Sequence, residues 1–148
     1  DRLIRKMGTI EILDTGAGRG NFLEDVKGIY GQKARTTAIA IDRNEHLMEK
    51  ARAGKIDEVI TVSAESWLPK RHYDLVVSFF GGITYSPVPE IAFFKSVNAL
   101  RRGGIAVIAP RRLSLEEGTV EKTIKKIRLD RRFTVKEMRN GFIIEKIR

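Results

Sequence analysis

The chain has 148 residues, a length that suits a single domain with a buried core. Its composition, 42% hydrophobic and 32% charged, is that of a soluble globular protein, and no apolar run is long enough to span a membrane. There is no cysteine, which excludes disulfides, thiolate metal sites and cysteine nucleophiles. We therefore expect one domain over residues 1–148, without a metal site, in the cytoplasm because no signal peptide is visible.

Strands and helices alternate along the sequence. The hydrophobic pattern predicts strands at residues 9–13, 36–41, 57–62, 73–79 and 105–109, and helices at residues 21–30 and 44–53. Another helix is expected to begin at Pro89 and to end at Gly103-Gly104, with Ile91, Phe94, Val97 and Leu100 on one face. This alternation predicts a parallel sheet with helices on both faces.

The C-terminal segment departs from that alternation. A helix is predicted after a capping box of Ser114 and Glu117, with Val120, Ile124 and Ile127 toward the core. Two alternating strands follow, separated by Arg139, Asn140 and Gly141, and Asn-Gly predicts a hairpin turn with two positive φ angles. The sheet should therefore be mostly parallel, with one antiparallel strand.

Positive charge is concentrated in the same segment. The net charge is +9, and residues 111–148 hold 12 of the 28 basic residues but 6 of the 19 acidic ones. This balance favours an anionic partner such as RNA, although a basic surface that is merely solvated remains an open alternative. The sequence does not indicate an oligomeric state.

The stretch "ILDTGAGRGNF", residues 12–22, is a glycine-rich loop after the first strand. Its G-x-G-x-G spacing differs from the dinucleotide fingerprint, and no Gly-Lys-Ser/Thr follows as in a P-loop. Asp14 would repel pyrophosphate but attract an ammonium group. Asp42, at the end of the second strand, can accept hydrogen bonds from both hydroxyls of a ribose. The pattern therefore predicts a positively charged nucleoside as ligand, against the alternative of a tight turn and a helix cap.

These motifs resemble those of the class I S-adenosylmethionine-dependent methyltransferases. "ILDTGAGRG" is similar to their first motif, "AIAIDRNEHLMEKAR" to their second, and "VSAESWLP" to the segment that contacts adenine. Residues 73–110 resemble the family's fourth strand, helix and fifth strand. The resemblance implies a three-layer Rossmann-like sandwich, with a seven-stranded sheet in the order 3-2-1-4-5-7-6 and strand 7 antiparallel.

The resemblance also implies a cofactor, S-adenosylmethionine, and the positions that hold it. The glycine loop would line the methionine part, Asp14 would interact with the amino group, and Asp42 would hold the ribose. Glu65 would take the place of an adenine-binding acid, and Ser78 and Phe79 would face the sulfonium and the acceptor. The full predicted cofactor set is Asp14, Gly16, Ala17, Gly18, Gly20, Asp42, Arg43, Ala64, Glu65 and Ser78. Ser78 and Tyr85 are candidate acceptor-side residues, each with packing or a rim position as its alternative.

The methyl acceptor stays open. The absence of cysteine argues against methylation at pyrimidine C5, and "SFFGG" lacks the Asn/Asp-Pro-Pro-Tyr/Phe pattern of exocyclic-amine methyltransferases. The segment "FGGITYSPVPE" is closer to small-molecule enzymes, whereas the short connections and the basic C-terminal third favour RNA or a protein. A catalytically inactive cofactor-binding subunit of a larger complex is the alternative function.

Overall fold

The computed structural model describes residues 8–40, 44–79, 81–110 and 118–148. The strands in these ranges are β1 (Ile10–Thr15), β2 (Ala34–Ala40), β3 (Glu58–Thr61), β4 (Tyr73–Phe79), β5 (Leu100–Ala109), β6 (Phe133–Met138) and β7 (Gly141–Lys146). The helices are α1 (Asn21–Tyr30), α2 (Glu45–Arg52), α3 (Pro89–Asn98) and α4 (Thr119–Leu129), with a short 3₁₀ helix at Gly31–Lys33. The predicted bounds of α1 and β4 are confirmed at both ends.

The seven strands form one sheet in the order β3-β2-β1-β4-β5-β7-β6. Strands β1 to β5 are parallel to one another, and β7 is antiparallel to both β5 and β6. The predicted order and the single antiparallel strand are both confirmed. β2 and β3 lie on one side of β1, and β4 and the later strands lie on its other side. The loops that follow β1 and β4 therefore flank a crevice at this change in strand order, where sheets of this kind bind ligands.

Helices cover both faces and give three layers. One core contains Leu23 of α1 and Leu47 of α2 against β1 and β2. The other contains Phe93 and Val97 of α3 with Ile124 of α4, against the opposite face of the sheet, including Leu13 of β1 and Ile39 of β2. Within the described residues, no helix is long and apolar enough to cross a membrane.

The prediction for α3 and β5 was partly wrong. The helix ends at Asn98, and β5 begins at Leu100 and continues through Gly103-Gly104 with a shift in register between Tyr73 and Leu75 on β4. The buried residues of α3 are Ala92, Phe93, Ser96 and Val97, whereas Ile91 is exposed. A side chain on Gly104 would come within 2.9 Å of the Tyr73 carbonyl oxygen, so this glycine serves strand pairing and does not end the helix.

The hairpin forms as predicted, but its glycine has a different function. Arg139 and Asn140 connect β6 to β7, and Gly141 is already the first residue of β7, paired with Met138. Its φ is not positive. A Cβ on Gly141 would overlap the carbonyl oxygen of Ile108 and lie 3.0 Å from the Cα of Ala109. Close approach to the end of β5, and not turn geometry, therefore requires glycine here.

Helix α4 presents the predicted apolar face. Val120, Ile124 and Ile127 are all buried. The predicted capping residues Ser114 and Glu117 lie outside the described residues.

Candidate functional site

Three loops meet at the carboxyl edge of the sheet, after β1, β3 and β4. The N–H of Gly82, which follows β4, donates a hydrogen bond to the carbonyl oxygen of Thr15, the last residue of β1 (2.9 Å). A Cβ on Gly82 would lie 3.1 Å from the Cβ of Ala64, which is buried in the loop after β3. The missing side chain at Gly82 therefore allows all three loops to pack at one point.

Gly16 brings the loops after β1 and β4 into backbone contact. Its φ is +98°, and a Cβ at this position would overlap the backbone nitrogen of Gly82 and lie 2.6–2.7 Å from backbone atoms of Gly81. Its own N–H, like that of Ala17, donates to the carbonyl oxygen of Ile39 on β2 (2.9 and 3.1 Å). A side chain at Gly16 would separate the two loops, so glycine is required for close approach as well as for its φ.

The other two glycines of the loop have different environments. Gly20, the N-cap of α1 with φ +71°, lies against the core, where a Cβ would be 2.6 Å from side-chain atoms of Leu47 and Ile56. Gly18 has φ +53°, and a Cβ there would meet no atom within 4 Å. Of the three, Gly18 is therefore the position that leaves space beside the loop.

Asn44 connects the glycine loop to the start of α2. The side-chain nitrogen Nδ2 of Asn44 donates to the carbonyl oxygen of Gly18 (2.7 Å). The side-chain oxygen Oδ1 of Asn44, the N-cap of the helix, accepts from the N–H of Leu47 (3.3 Å). One side chain thus fixes both the loop and the helix after β2. The predicted ribose-binding Asp42 and its neighbour Arg43 lie outside the described residues.

Asp14 is a buried carboxylate at the centre of this edge. It lies one residue before the end of β1, between Ala38 on β2 and Val77 on β4, and its residue exposure is 5%. Burial raises the pKa of Asp14 from 3.8 to about 7. Among the residues that the structure describes, no cation or hydrogen-bond donor lowers this pKa again. A buried acid without a partner favours a cation, because a nearby positive charge restores its ionised form.

Ser78 lies inside the edge and connects two strands. The side chain is buried, and its hydroxyl donates to the same Thr15 carbonyl oxygen that Gly82 contacts (3.2 Å). The Thr15 hydroxyl in turn donates to the carbonyl oxygen of Val77 (3.3 Å). In this arrangement the Ser78 hydroxyl holds the end of β4 against β1.

Glu65 connects the loops after β3 and β4. Its carboxylate accepts a hydrogen bond from the Ser86 hydroxyl (2.8 Å). Burial alone would raise the pKa of Glu65, but hydrogen bonds from Ser63, from its own N–H and from Ser86 outweigh it and hold the pKa below its usual range. The charged form of Glu65 is therefore already bound within the protein.

Tyr85 and Phe79 are exposed on the outer side of the crevice. Tyr85 is 59% exposed, in the turn where its N–H donates to the Gly81 carbonyl oxygen (3.2 Å). Phe79 ends β4 at 41% exposure and contacts Phe22 of α1 edge-to-face, with ring centroids 5.5 Å apart. These rings form an apolar rim beside the glycine loop.

Three functional positions were missed from the sequence. Gly81 and Gly82 complete the contact with the glycine loop, and the signal was the Gly-Gly pair directly after a strand. Asn44 was included only as the start of a helix, although an Asn two residues after Asp42 is a cap signal. In the described part of the chain, no three His, Cys, Asp or Glu side chains cluster as metal ligands.

A cavity of about 340 Å³ lies elsewhere, on the sheet face beside Trp67 and Arg71. It reaches Glu58 and Tyr73, the first residues of β3 and β4, at the opposite end of these strands from the glycine loop. This cavity is therefore separate from the candidate site.

Sequence comparison identifies the class of protein to which this site belongs. A family model described as a methyltransferase domain matches residues 13–108, from β1 to β5. The chain therefore belongs to the methyltransferase domain family. Comparison with curated protein sequences gives no match.

Solved structures share the fold at low sequence identity. A TehB-like SAM-dependent methyltransferase from Corynebacterium glutamicum aligns with a TM-score of 0.71 and 16% identity, over 98% of this chain and 85% of that one. A protein of Methanococcus maripaludis assigned as an S-adenosyl-L-methionine-dependent methyltransferase gives 0.67 and 18%, over 99% and 83%. The plantazolicin methyltransferase BpumL, solved in complex with SAH, gives 0.69 and 16%, over 91% of this chain and 62% of BpumL. The fold is that of the class I S-adenosylmethionine-dependent methyltransferases.

The raised pKa of Asp14 predicts a characteristic dependence of stability on pH. Since the folded-state pKa exceeds that of the unfolded chain, ionising Asp14 destabilises the fold progressively between about pH 4 and pH 7. Asp14→Asn should therefore stabilise the protein, and the gain in the free energy of unfolding should grow by about 2–3 kcal/mol from pH 5 to pH 8. Chemical denaturation at the two pH values measures this difference.

Asp74→Asn is the matched control. Asp74 is also buried on a central strand, but Arg101 (2.9 Å) and the N–H of Glu11 (2.8 Å) hold its carboxylate. This variant should destabilise the protein at both pH values. A gain for Asp14→Asn that does not change with pH would contradict the assignment.

Proposed function

We propose that the chain is an S-adenosylmethionine-dependent methyltransferase whose cofactor binds in the crevice between the loops after β1 and β4. The observation that carries the proposal is the backbone contact of Gly16 with Gly81 and Gly82, next to the buried Asp14. This arrangement brings the Asp14 carboxylate close to backbone that no side chain covers. It suits a ligand with an ammonium group for the carboxylate and a carboxylate group for the backbone N–H groups.

The described residues fit this cofactor at its methionine end. The ammonium group would neutralise Asp14, which has no described cation of its own. The carboxylate would lie near the N-terminus of α1, where the helix dipole favours negative charge, in the space beside Gly18. Asp42 would hold the ribose, and Arg43, Ala64 and Glu65 would flank the adenine. For Glu65, the hydrogen bond from Ser86 favours a role in shaping the adenine pocket over direct contact.

Bound S-adenosylmethionine supplies a methyl group on a sulfonium sulfur, and transfer to the acceptor leaves the electron pair of the broken C–S bond on that sulfur. The protein's contribution is then to align the acceptor with the methyl group and to exclude water. Orientation of this kind can supply roughly 7–11 kcal/mol of the barrier. A general base is needed only where the acceptor must lose its proton early.

The two acceptor-side candidates differ in what they can do. The buried Ser78 hydroxyl is bonded to Thr15, which supports a positioning role for it at the end of β4. Tyr85 is exposed beside the crevice and is available to contact an acceptor. RNA, a protein and a small molecule all remain candidate acceptors at this level.

Gly18→Ala should remove cofactor binding and leave the fold intact. The new methyl group would enter the space assigned to the cofactor, and the backbone would bear a left-handed strain of about 1 kcal/mol. Gly54→Ala is the strain-matched control, since Gly54 has φ +70° and a Cβ there also meets no atom within 4 Å. Calorimetry and thermal denaturation of both variants separate the two effects. Equal affinity of both variants for S-adenosylmethionine would show that Gly18 is only a turn residue.

Transfer of a labelled methyl group tests the activity itself. The protein is incubated with labelled S-adenosylmethionine and, in separate reactions, RNA, protein and metabolite fractions of a cell extract. We expect label in one fraction. Asp42→Ala should weaken cofactor affinity about 10–100-fold and reduce labelling accordingly, since two charge-assisted hydrogen bonds are lost. Cofactor binding without transfer to any fraction would favour an inactive cofactor-binding subunit.

A further inference from the structure

An exposed apolar strip follows β4, in the chain segment that also contains Gly81 and Gly82 of the crevice. Its members are Phe79, Tyr85, Val88 and Ile91, which are 41%, 59%, 43% and 47% exposed. They lie on one short stretch of chain between the end of β4 and the first turn of α3, and the N–H of Ile91 bonds to the carbonyl oxygen of Val88 (3.0 Å). Exposed rings beside a cofactor crevice suit a flat acceptor that can stack on them.

The charges around this strip favour an anion. The two nearby acids are already engaged, since Glu65 accepts from Ser86 and Glu90 pairs with Lys126. Residues 118–148 carry ten Lys or Arg and four Asp or Glu. A negatively charged acceptor would therefore meet little opposing charge at the strip, and the C-terminal segment carries a net charge of +6.

Arg139 places part of that charge at the same edge as the crevice. It lies in the exposed turn between β6 and β7, and Gly141, two residues later, contacts Ile108 and Ala109 at the carboxyl end of β5. Strands β5 and β7 separate β4 from this turn, so the strip and Arg139 are roughly 10–15 Å apart at strand spacings of about 4.8 Å. This distance is within the reach of a chain of a few nucleotides.

We propose that the strip and the β6–β7 turn together bind single-stranded RNA, with a base stacked on Tyr85 at the crevice and the phosphates running toward Arg139. The proposal rests on the proposed function, because it names the acceptor class of the same site. Every base offers a flat apolar face and every linkage a negative charge, so RNA matches both halves of this surface. A protein acceptor would match the strip without requiring the basic turn.

The test measures binding of a fluorescent single-stranded RNA of about twelve nucleotides by anisotropy over a range of salt concentrations. Tyr85→Ala should weaken RNA binding about 5- to 100-fold. Tyr85→Phe, which keeps the ring, should retain most of the wild-type affinity for RNA. Arg139→Gln should reduce the slope of log affinity against log salt by about 0.7. Calorimetry with S-adenosylmethionine, performed on each variant, reports separately on the cofactor site and should show no change.

Arg131→Gln is the matched control. Arg131 is equally exposed but precedes β6, at the amino edge of the sheet, roughly 20 Å from Arg139 by the length of the six-residue strand. It should leave affinity and salt slope unchanged. Equal effects of the two arginine variants would indicate a general basic surface and overturn the proposal. The proposal would also be overturned if none of the variants weakened RNA binding, or if the protein bound peptides saturably and did not bind RNA.

Discussion

The candidate site depends on one contact, the packing of Gly16 against Gly81 and Gly82. Backbone atoms approach so closely there that a single methyl group on Gly16 would overlap the neighbouring loop. The contact is reinforced by the Thr15 carbonyl oxygen, which accepts hydrogen bonds from the Gly82 N–H and from the Ser78 hydroxyl. Together these interactions fix the ends of β1 and β4, and hence the crevice between them, without occupying it with side chains.

Asp14 is the electrostatic counterpart of that contact. A carboxylate buried without a described cation opposes folding at neutral pH, since its pKa is raised to about 7 by desolvation. The one other buried acid among the described residues, Asp74, is paired with Arg101. Asp14 is the exception, and the proposed binding of the cofactor's ammonium group beside it would offset this unfavourable burial.

Much of the fold was predictable because local patterns agree with tertiary structure. The bounds of α1 and β4 and the hairpin follow from periodicity and turn residues, and the strand order is what the family resemblance implies. The predictions were wrong at positions where tertiary packing determines which residue is buried or which residue type is required. Ile91 of the predicted apolar face of α3 is exposed, whereas Ala92 and Phe93 are buried. Gly141 is required by the approach of β5, which no local rule reveals. The Gly81-Gly82 pair after β4 was a signal in the sequence, but its contact was not predictable because the partner, Gly16, is distant in sequence.

Calorimetric titration of S-adenosylmethionine into the protein at pH 7, repeated in two buffers of different ionisation enthalpy, is the decisive experiment. We expect one-to-one binding with net release of a fraction of a proton, because an ammonium group beside Asp14 lowers a pKa that starts near 7. Binding without proton release would contradict the role of Asp14. No binding at all would contradict the proposed function of the crevice.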